Sequence, residues 1–244
     1  YLNRVYYPSS EEERELLLRN PLKCLSKDPV APKDIPLRPK IILIGKYKSG
    51  KTTVAKKACE LLGLVHITIP EVQELFCKNK FYGKGKQLFE ILASGQVPDD
   101  ELIVELLNLR LQFSDVTEKG YILEGFPQTK KQAILMYKNK ILPDFVVGQS
   151  SEDFVIKTRA KNGTGLDSFE YDQEIMDIRL NAQSKELLAV ENLYTYNFGN
   201  IRRLTKESTD SRVIELTSLI EEYIRGRQAA AVGINLEAPF DASR

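Results

Sequence analysis

Cysteine, histidine and net charge are all scarce in this chain. Three cysteines, Cys24, Cys59 and Cys77, occur in 244 residues. An odd number without a C-x-x-C spacing excludes a disulfide framework and a cysteine-built zinc site. Cys59 and Cys77 sit in apolar helical contexts and read as small buried hydrophobes, and a reducing compartment is the default expectation. The single histidine, His66, lies in the apolar run Val65-His66-Ile67-Thr68. No partner for it can be named from the sequence, so it reads as a packed strand residue. Lys+Arg total 35 against 34 for Asp+Glu, a net charge of +1. That balance gives no support for a nucleic-acid or membrane-surface role. No apolar run approaches the length of a membrane-crossing helix, and Tyr1-Leu2-Asn3-Arg4 does not open a signal peptide. Lacking an initiator Met, the chain is expected to be a piece of a longer protein.

What is present is more informative. A hydrophobic fraction of 42% is that of a globular protein with a buried core. Residues 45–52 read Gly45-Lys46-Tyr47-Lys48-Ser49-Gly50-Lys51-Thr52, the phosphate-binding pattern G-x-x-x-x-G-K-[ST]. The loop follows the strand-like run Ile41-Ile42-Leu43-Ile44 and opens a segment with Val54, Ala58, Leu61 and Leu62 at helical spacing. In that context backbone N–H groups wrap a polyphosphate at the positive end of a helix. Lys51 is expected to reach the β- and γ-phosphates and the Thr52 hydroxyl to sit on Mg²⁺.

The chain divides by composition. Residues 1–39 read as an N-terminal appendage. Ser10 with Glu13 forms a capping box for a helix carrying Leu16, Leu17, Leu18 and Leu22. Asn20-Pro21 interrupts this pattern before Leu22 and is where the helix is expected to end. Four prolines (Pro29, Pro32, Pro36, Pro39) make 28–39 an extended linker. Residues 40–226 alternate short apolar runs (41–45, 65–68, 121–124, 144–148, 201–204) with helical patterns. The helices are expected at about 51–62, 70–79, 84–94, 99–113, 127–138, 151–160, 170–191 and 211–225. This is an α/β domain, a doubly wound five-stranded parallel sheet of the P-loop NTPase type with helices on both faces. The apolar residues of 99–113 are too many for a surface stripe and read as core. Residues 227–244 read as a loose tail.

Tyr121-Ile122-Leu123-Glu124 is a second strand that ends on a carboxylate. Beside a phosphate loop, Glu124 is placed to organise the hydration shell of Mg²⁺. The segment runs on as Gly125-Phe126-Pro127-Gln128-Thr129-Lys130-Lys131-Gln132-Ala133. Together with Gly45–Thr53 it resembles the two signature segments of the adenylate kinase (nucleoside monophosphate kinase) family. Gly95-Gln96-Val97-Pro98-Asp99, Pro143-Asp144-Phe145-Val146-Val147 and Asp172-Gln173-Glu174 with Arg179-Leu180 are similar to further segments of that family, in the same order. The resemblance covers about residues 40–225. Around Arg4-Val5-Tyr6-Tyr7 and Asn20-Pro21-Leu22-Lys23, the appendage is similar to an element preceding some modules of long, multi-module adenylate kinases. The ninth human isoform typifies that group.

The resemblance implies transfer of the γ-phosphoryl of ATP to AMP or another nucleoside monophosphate with Mg²⁺. It makes Gly45 to Thr53 the nucleotide-binding segment, with Lys51 and Arg179 catalytic. Lys157 and Arg159 stand where the family places lid arginines, before a short lid at 161–170. Val97, Gln128 and Gln132 fall in the acceptor site, and Thr52 and Glu124 serve the metal. It also implies, as partners, other modules of the same chain or ciliary proteins. The setting it implies is the cytoplasm, with cilium, flagellum or nucleus as alternatives. Two departures stand out. Gln128 occupies the position of an arginine that clamps the acceptor phosphate, and Glu74 aligns with a second such arginine, where it would repel the phosphate. At about 1.5–3 kcal/mol per charged hydrogen bond, losing both weakens acceptor binding by several kcal/mol. The expectation is an intact ATP half and a degenerate acceptor half, with weak activity. The alternative is an inactive ATP-binding or scaffold module.

Overall fold

The computed structural model describes residues 10–19, 38–78, 83–162 and 172–232. The extended N-terminal segment, most of the Pro-rich linker, the lid loop and residues 233–244 lie outside these. Contacts group the chain into two units, residues 37–224 and a second made of 1–36 with 225–244. Within the second, α1 (Glu11–Arg19) starts after Ser10, whose carbonyl accepts from Arg14 N–H at 3.1 Å, and stops just before Asn20-Pro21.

The larger unit is built on five parallel strands in the order β2-β3-β1-β4-β5. They are β1 (Lys40–Gly45), β2 (Val65–Thr68), β3 (Tyr121–Glu124), β4 (Phe145–Gln149) and β5 (Ile201–Leu204). Between them run α2 (Lys51–Leu62), α3 (Ile69–Lys78), α4 (Gly83–Ala93), α5 (Asp100–Leu111), α6 (Ser114–Lys119), α7 (Lys130–Lys138), α8 (Asp153–Lys161) and α9 (Gln173–Phe198); α10 (Thr209–Val232) follows β5. All five expected strands form. The helix expected over 99–113 ends at Leu111, and a short helix, α6, follows that the apolar pattern did not announce. The last two helices run longer than expected, and α10 makes residues 227–232 helical rather than loose. Among the described residues no helix is long and apolar enough to cross a membrane.

β1 shows why the sheet is covered on both faces. Its side chains alternate. Ile42 and Ile44 enter the core formed with α3, α5, α7 and α9, and Ile41 and Leu43 enter the core formed with α2 and α10. β3 and β4 divide in the same way: Leu123 and Val146 join the first core, Ile122 and Val147 the second. Five residues of α5 are buried, and Asp99 caps it by accepting from Leu102 N–H at 2.8 Å. Parallel pairing puts the carboxyl ends of β1, β3 and β4 side by side, and ligands of such sheets bind beyond those ends.

Candidate functional site

The loop between β1 and α2 begins at Gly45, where a Cβ would lie 2.4 Å from the Gln149 carbonyl oxygen; only glycine fits. It ends at Gly50, the N-cap of α2, with φ 91°, a conformation that costs a side-chain-bearing residue free energy. No side chain caps α2 there, so the first-turn N–H groups are left for an anion. Lys51 curls over the loop, donating to the Lys46 carbonyl at 2.5 Å with Ser49 Oγ at 3.5 Å. Burial draws its pKa below the ordinary lysine value, opposed by the charge of Glu124. Lys46 pairs with Asp153 at the start of α8, 2.6 Å.

The loop is held from below. The Ser49 carbonyl accepts from Gln149 Nε2 (2.7 Å), Ser151 Oγ (3.2 Å) and Arg212 Nη1 (3.3 Å). Arg212, 6% exposed, also donates to Ser151 Oγ (3.0 Å), the Ser150 carbonyl (2.9 Å) and, through Nε, the Lys206 carbonyl (2.7 Å). One guanidinium thus ties together the loops that follow β1, β4 and β5. Burial and then the neighbouring Arg159 charge lower its pKa. No carboxylate lies at ion-pair distance from it among the described residues. No local pattern marks it, because an arginine near the start of an amphipathic helix reads as surface.

At the other edge of the loop Thr52 Oγ1 donates to Glu124 Oε1 at 2.6 Å, and His66 Nε2 lies 2.8 Å from Glu124 Oε2. Register explains the meeting of His66 with Glu124, since β2 and β3 pair in parallel with His66 opposite Ile122, two residues before Glu124 and on the same face. Burial favours the neutral carboxyl. The hydrogen bonds from His66 and Thr52 and the charge of Lys51 outweigh it, and the pKa falls below the ordinary glutamate value. His66 therefore belongs to the site and is no mere packed strand residue. An ionised carboxylate and a hydroxyl are hard oxygen donors. They fit Mg²⁺, which takes one or two protein oxygens and completes its shell with phosphate and water. No cluster of three or more histidine, cysteine or acidic side chains that would suit a different metal occurs among the described residues.

Over the loop, the Tyr47 N–H donates to Gln183 Oε1 at 2.9 Å, and the Arg179 guanidinium stands 4.3 Å from the Tyr47 ring centroid. Both partners come from α9. Arg159 Nη1 reaches the Lys48 carbonyl at 3.4 Å. Lys157, expected beside it, is ion-paired with Asp177 of α9 and does not line the cleft that adjoins the loop.

Beside Lys51 and Thr52 opens a cleft of about 760 Å³, walled by the starts of α2, α3 and α5 and by the turn after β3. Gln128, Gln132 and Val97 all line it, and Val97 is 90% exposed. The Gln128 N–H donates to Gln132 Oε1 (2.8 Å), and Gln132 Nε2 donates to Asp100 Oδ1 (2.8 Å). Gln128 Nε2 donates to the Gly125 carbonyl at 3.1 Å. Glu74 corrects an expectation: it is not part of this wall, and its exposed carboxylate is held by Lys78 one turn on, 2.5 Å. Ile103, expected only as core, lines the cleft as well.

No protein-family model matches the chain. It is 35% identical over 202 residues to adenylate kinase 8 of Xenopus tropicalis, covering 83% of this chain and 39% of that protein. It is 30% identical over 143 residues to adenylate kinase of Thermotoga maritima, covering 59% of this chain and 57% of that one. Adenylate kinase 8 of Danio rerio is 35% identical over 126 residues, half of this chain and 24% of the fish protein. The chain therefore spans well under two thirds of the length of the curated relatives it matches.

Proposed function

The chain belongs to the adenylate kinase family, and on that premise we propose that it binds ATP with Mg²⁺ and transfers the γ-phosphoryl to AMP or another nucleoside monophosphate. The observation that carries this reading is the pairing of a formed phosphate loop with an adjoining cleft. Lys51 and the Thr52–Glu124 contact stand at the boundary between the two.

Phosphoryl transfer asks the protein mainly for positioning and charge neutralisation. In this reading the N–H groups at the start of α2 and the Lys51 ammonium hold the donor phosphates, with Arg159 beside them. Thr52 and Glu124 would hold Mg²⁺, which supplies charge neutralisation and orientation to the phosphate oxygens. Glu124, kept ionised by His66, suits that task. Arg179 neutralises charge developing on the transferred group, once it leaves the face of Tyr47. Gln132 and Val97 receive the acceptor base. Gln128 offers the acceptor phosphate a neutral hydrogen bond in place of an ion pair, so acceptor binding is weak and turnover slow.

One observation favours the alternative, an ATP-binding module that is catalytically silent. The Gln132 amide is already engaged by the Gln128 N–H and Asp100, so a base must displace one of these bonds. Companion modules in a longer chain, and a ciliary or flagellar setting, rest on the resemblance of the N-terminal residues alone.

The test is ADP formation from Mg-ATP with and without AMP, with Lys51→Ala as the blank. AMP-dependent turnover above the blank supports the kinase reading. Its absence in folded protein that still binds ATP supports the silent module.

A further inference from the structure

We propose that Lys56 is the cation that receives the acceptor phosphate, in place of the arginines this chain lacks; the inference rests on the kinase reading given above. Three lysines line the cleft: Lys48, Lys51 and Lys56. The first two belong to the phosphate loop and serve the donor. Lys56 is the one lysine or arginine of this wall outside that loop among the described residues.

Its position follows from the helix. Thr52 is turned toward the cleft by its bond to Glu124. Lys56 lies one turn further along α2, and residues i and i+4 share a face. Val54 and Ala58, on the opposite face of α2, are buried. Lys56 therefore projects toward the mouth of the cleft, where His66, Thr68 and Glu71 of the β2–α3 segment form the facing wall.

Lys56 is exposed and makes no hydrogen bond or ion pair to another side chain among the described residues. Lys131, which borders the cleft through Asp100, is engaged, shared between Asp100 and Glu101, each at 3.4 Å. An anion entering here meets carboxylates at Glu71, Asp100 and Glu124, so it needs a cation to be held at all. A lysine supplies that charge as a point, without the two-pronged fork of an arginine. It attracts the acceptor phosphate but fixes its orientation poorly, which fits an enzyme of low turnover.

The experiment is equilibrium binding of AMP by titration calorimetry, alongside AMP-dependent ADP formation, in the wild-type chain, Lys56→Gln and Lys56→Arg. Expected is a loss of AMP affinity of at least about tenfold in Lys56→Gln, retention in Lys56→Arg, and an unchanged KM for ATP. Equal AMP affinity in wild type and Lys56→Gln overturns the assignment while leaving the kinase reading intact, as does a parallel loss of ATP affinity, which would place Lys56 on the donor side. If wild-type protein that binds Mg-ATP binds neither AMP nor another nucleoside monophosphate at millimolar concentration, the kinase reading fails and this assignment fails with it. Lys56 is exposed, so the variants are expected to fold, and unchanged melting temperatures check this.

Discussion

His66 Nε2 lies 2.8 Å from Glu124 Oε2, while the other oxygen of the same carboxylate is held by Thr52 at 2.6 Å. A residue from β2, one from β3 and one from α2 thus converge on a single point. The carboxylate between them is depleted of protons in the folded state, and a dependence on pH follows.

Because the folded pKa of Glu124 lies below its ordinary value, its stabilising contribution is complete above the unfolded glutamate pKa of about 4.3. It is lost as pH falls through the folded value. Urea midpoints of the wild-type chain should therefore drop as pH falls below about 4.3, and Glu124→Gln should lose less over the same interval. Identical slopes for the two proteins would show that Glu124 carries no such contribution.

Lys51→Ala should fold yet lose its response to nucleotide. For the wild-type chain, Mg-ATP at one hundred times its Kd stabilises by about 2.7 kcal/mol, readable as a rise in melting temperature. No rise is expected for the variant. An undiminished rise would mean that ATP binds somewhere other than the phosphate loop.

Arg212→Met should unfasten three loops at once. The Ser150 and Lys206 carbonyls lose their Arg212 donors, and Ser49 keeps two of its three. Losing a hydrogen bond from a charged donor costs about 1.5–3 kcal/mol, toward the low end where water can reach the acceptor, as at Ser150 and Lys206. The expected result is a lower urea midpoint together with a weaker Kd for ATP. If stability falls while ATP affinity holds, Arg212 supports the fold but not the phosphate loop's shape.

Gln128→Arg should restore a charged clamp in the cleft. Since Glu74 is outside the cleft wall and bound to Lys78, this one change is expected to suffice. Steady-state kinetics should show the KM for AMP lowered by about tenfold, as for one charged hydrogen bond gained. A folded variant with unchanged AMP kinetics would remove Gln128 from the acceptor site.

Much of the fold was legible. Strands such as Ile41–Ile44 are short, continuous and apolar because a central parallel strand is buried on both faces. Gly45 and Gly50 mark the loop because one has no room for a Cβ and the other needs a positive φ. The short helix at Ser114–Lys119 was not legible, because six residues with a single buried side chain, Val116, set up no period. Nor was the turning away of Glu74, which depends on which neighbour its carboxylate finds.

The order of elements, the phosphate loop, Lys51 with Thr52, and the absence of an arginine at 128 are properties of the sequence itself, since each depends on residues adjacent along the chain or on side-chain identity. Tertiary structure alone decided the rest. It brought His66 to Glu124 across 58 positions and Arg212 to Ser49 across 163. It turned Thr52 and Lys56 toward the cleft and paired Lys157 with Asp177. Such contacts are set by strand register and helix rotation, which are fixed by how the two cores pack and leave no local mark in the chain.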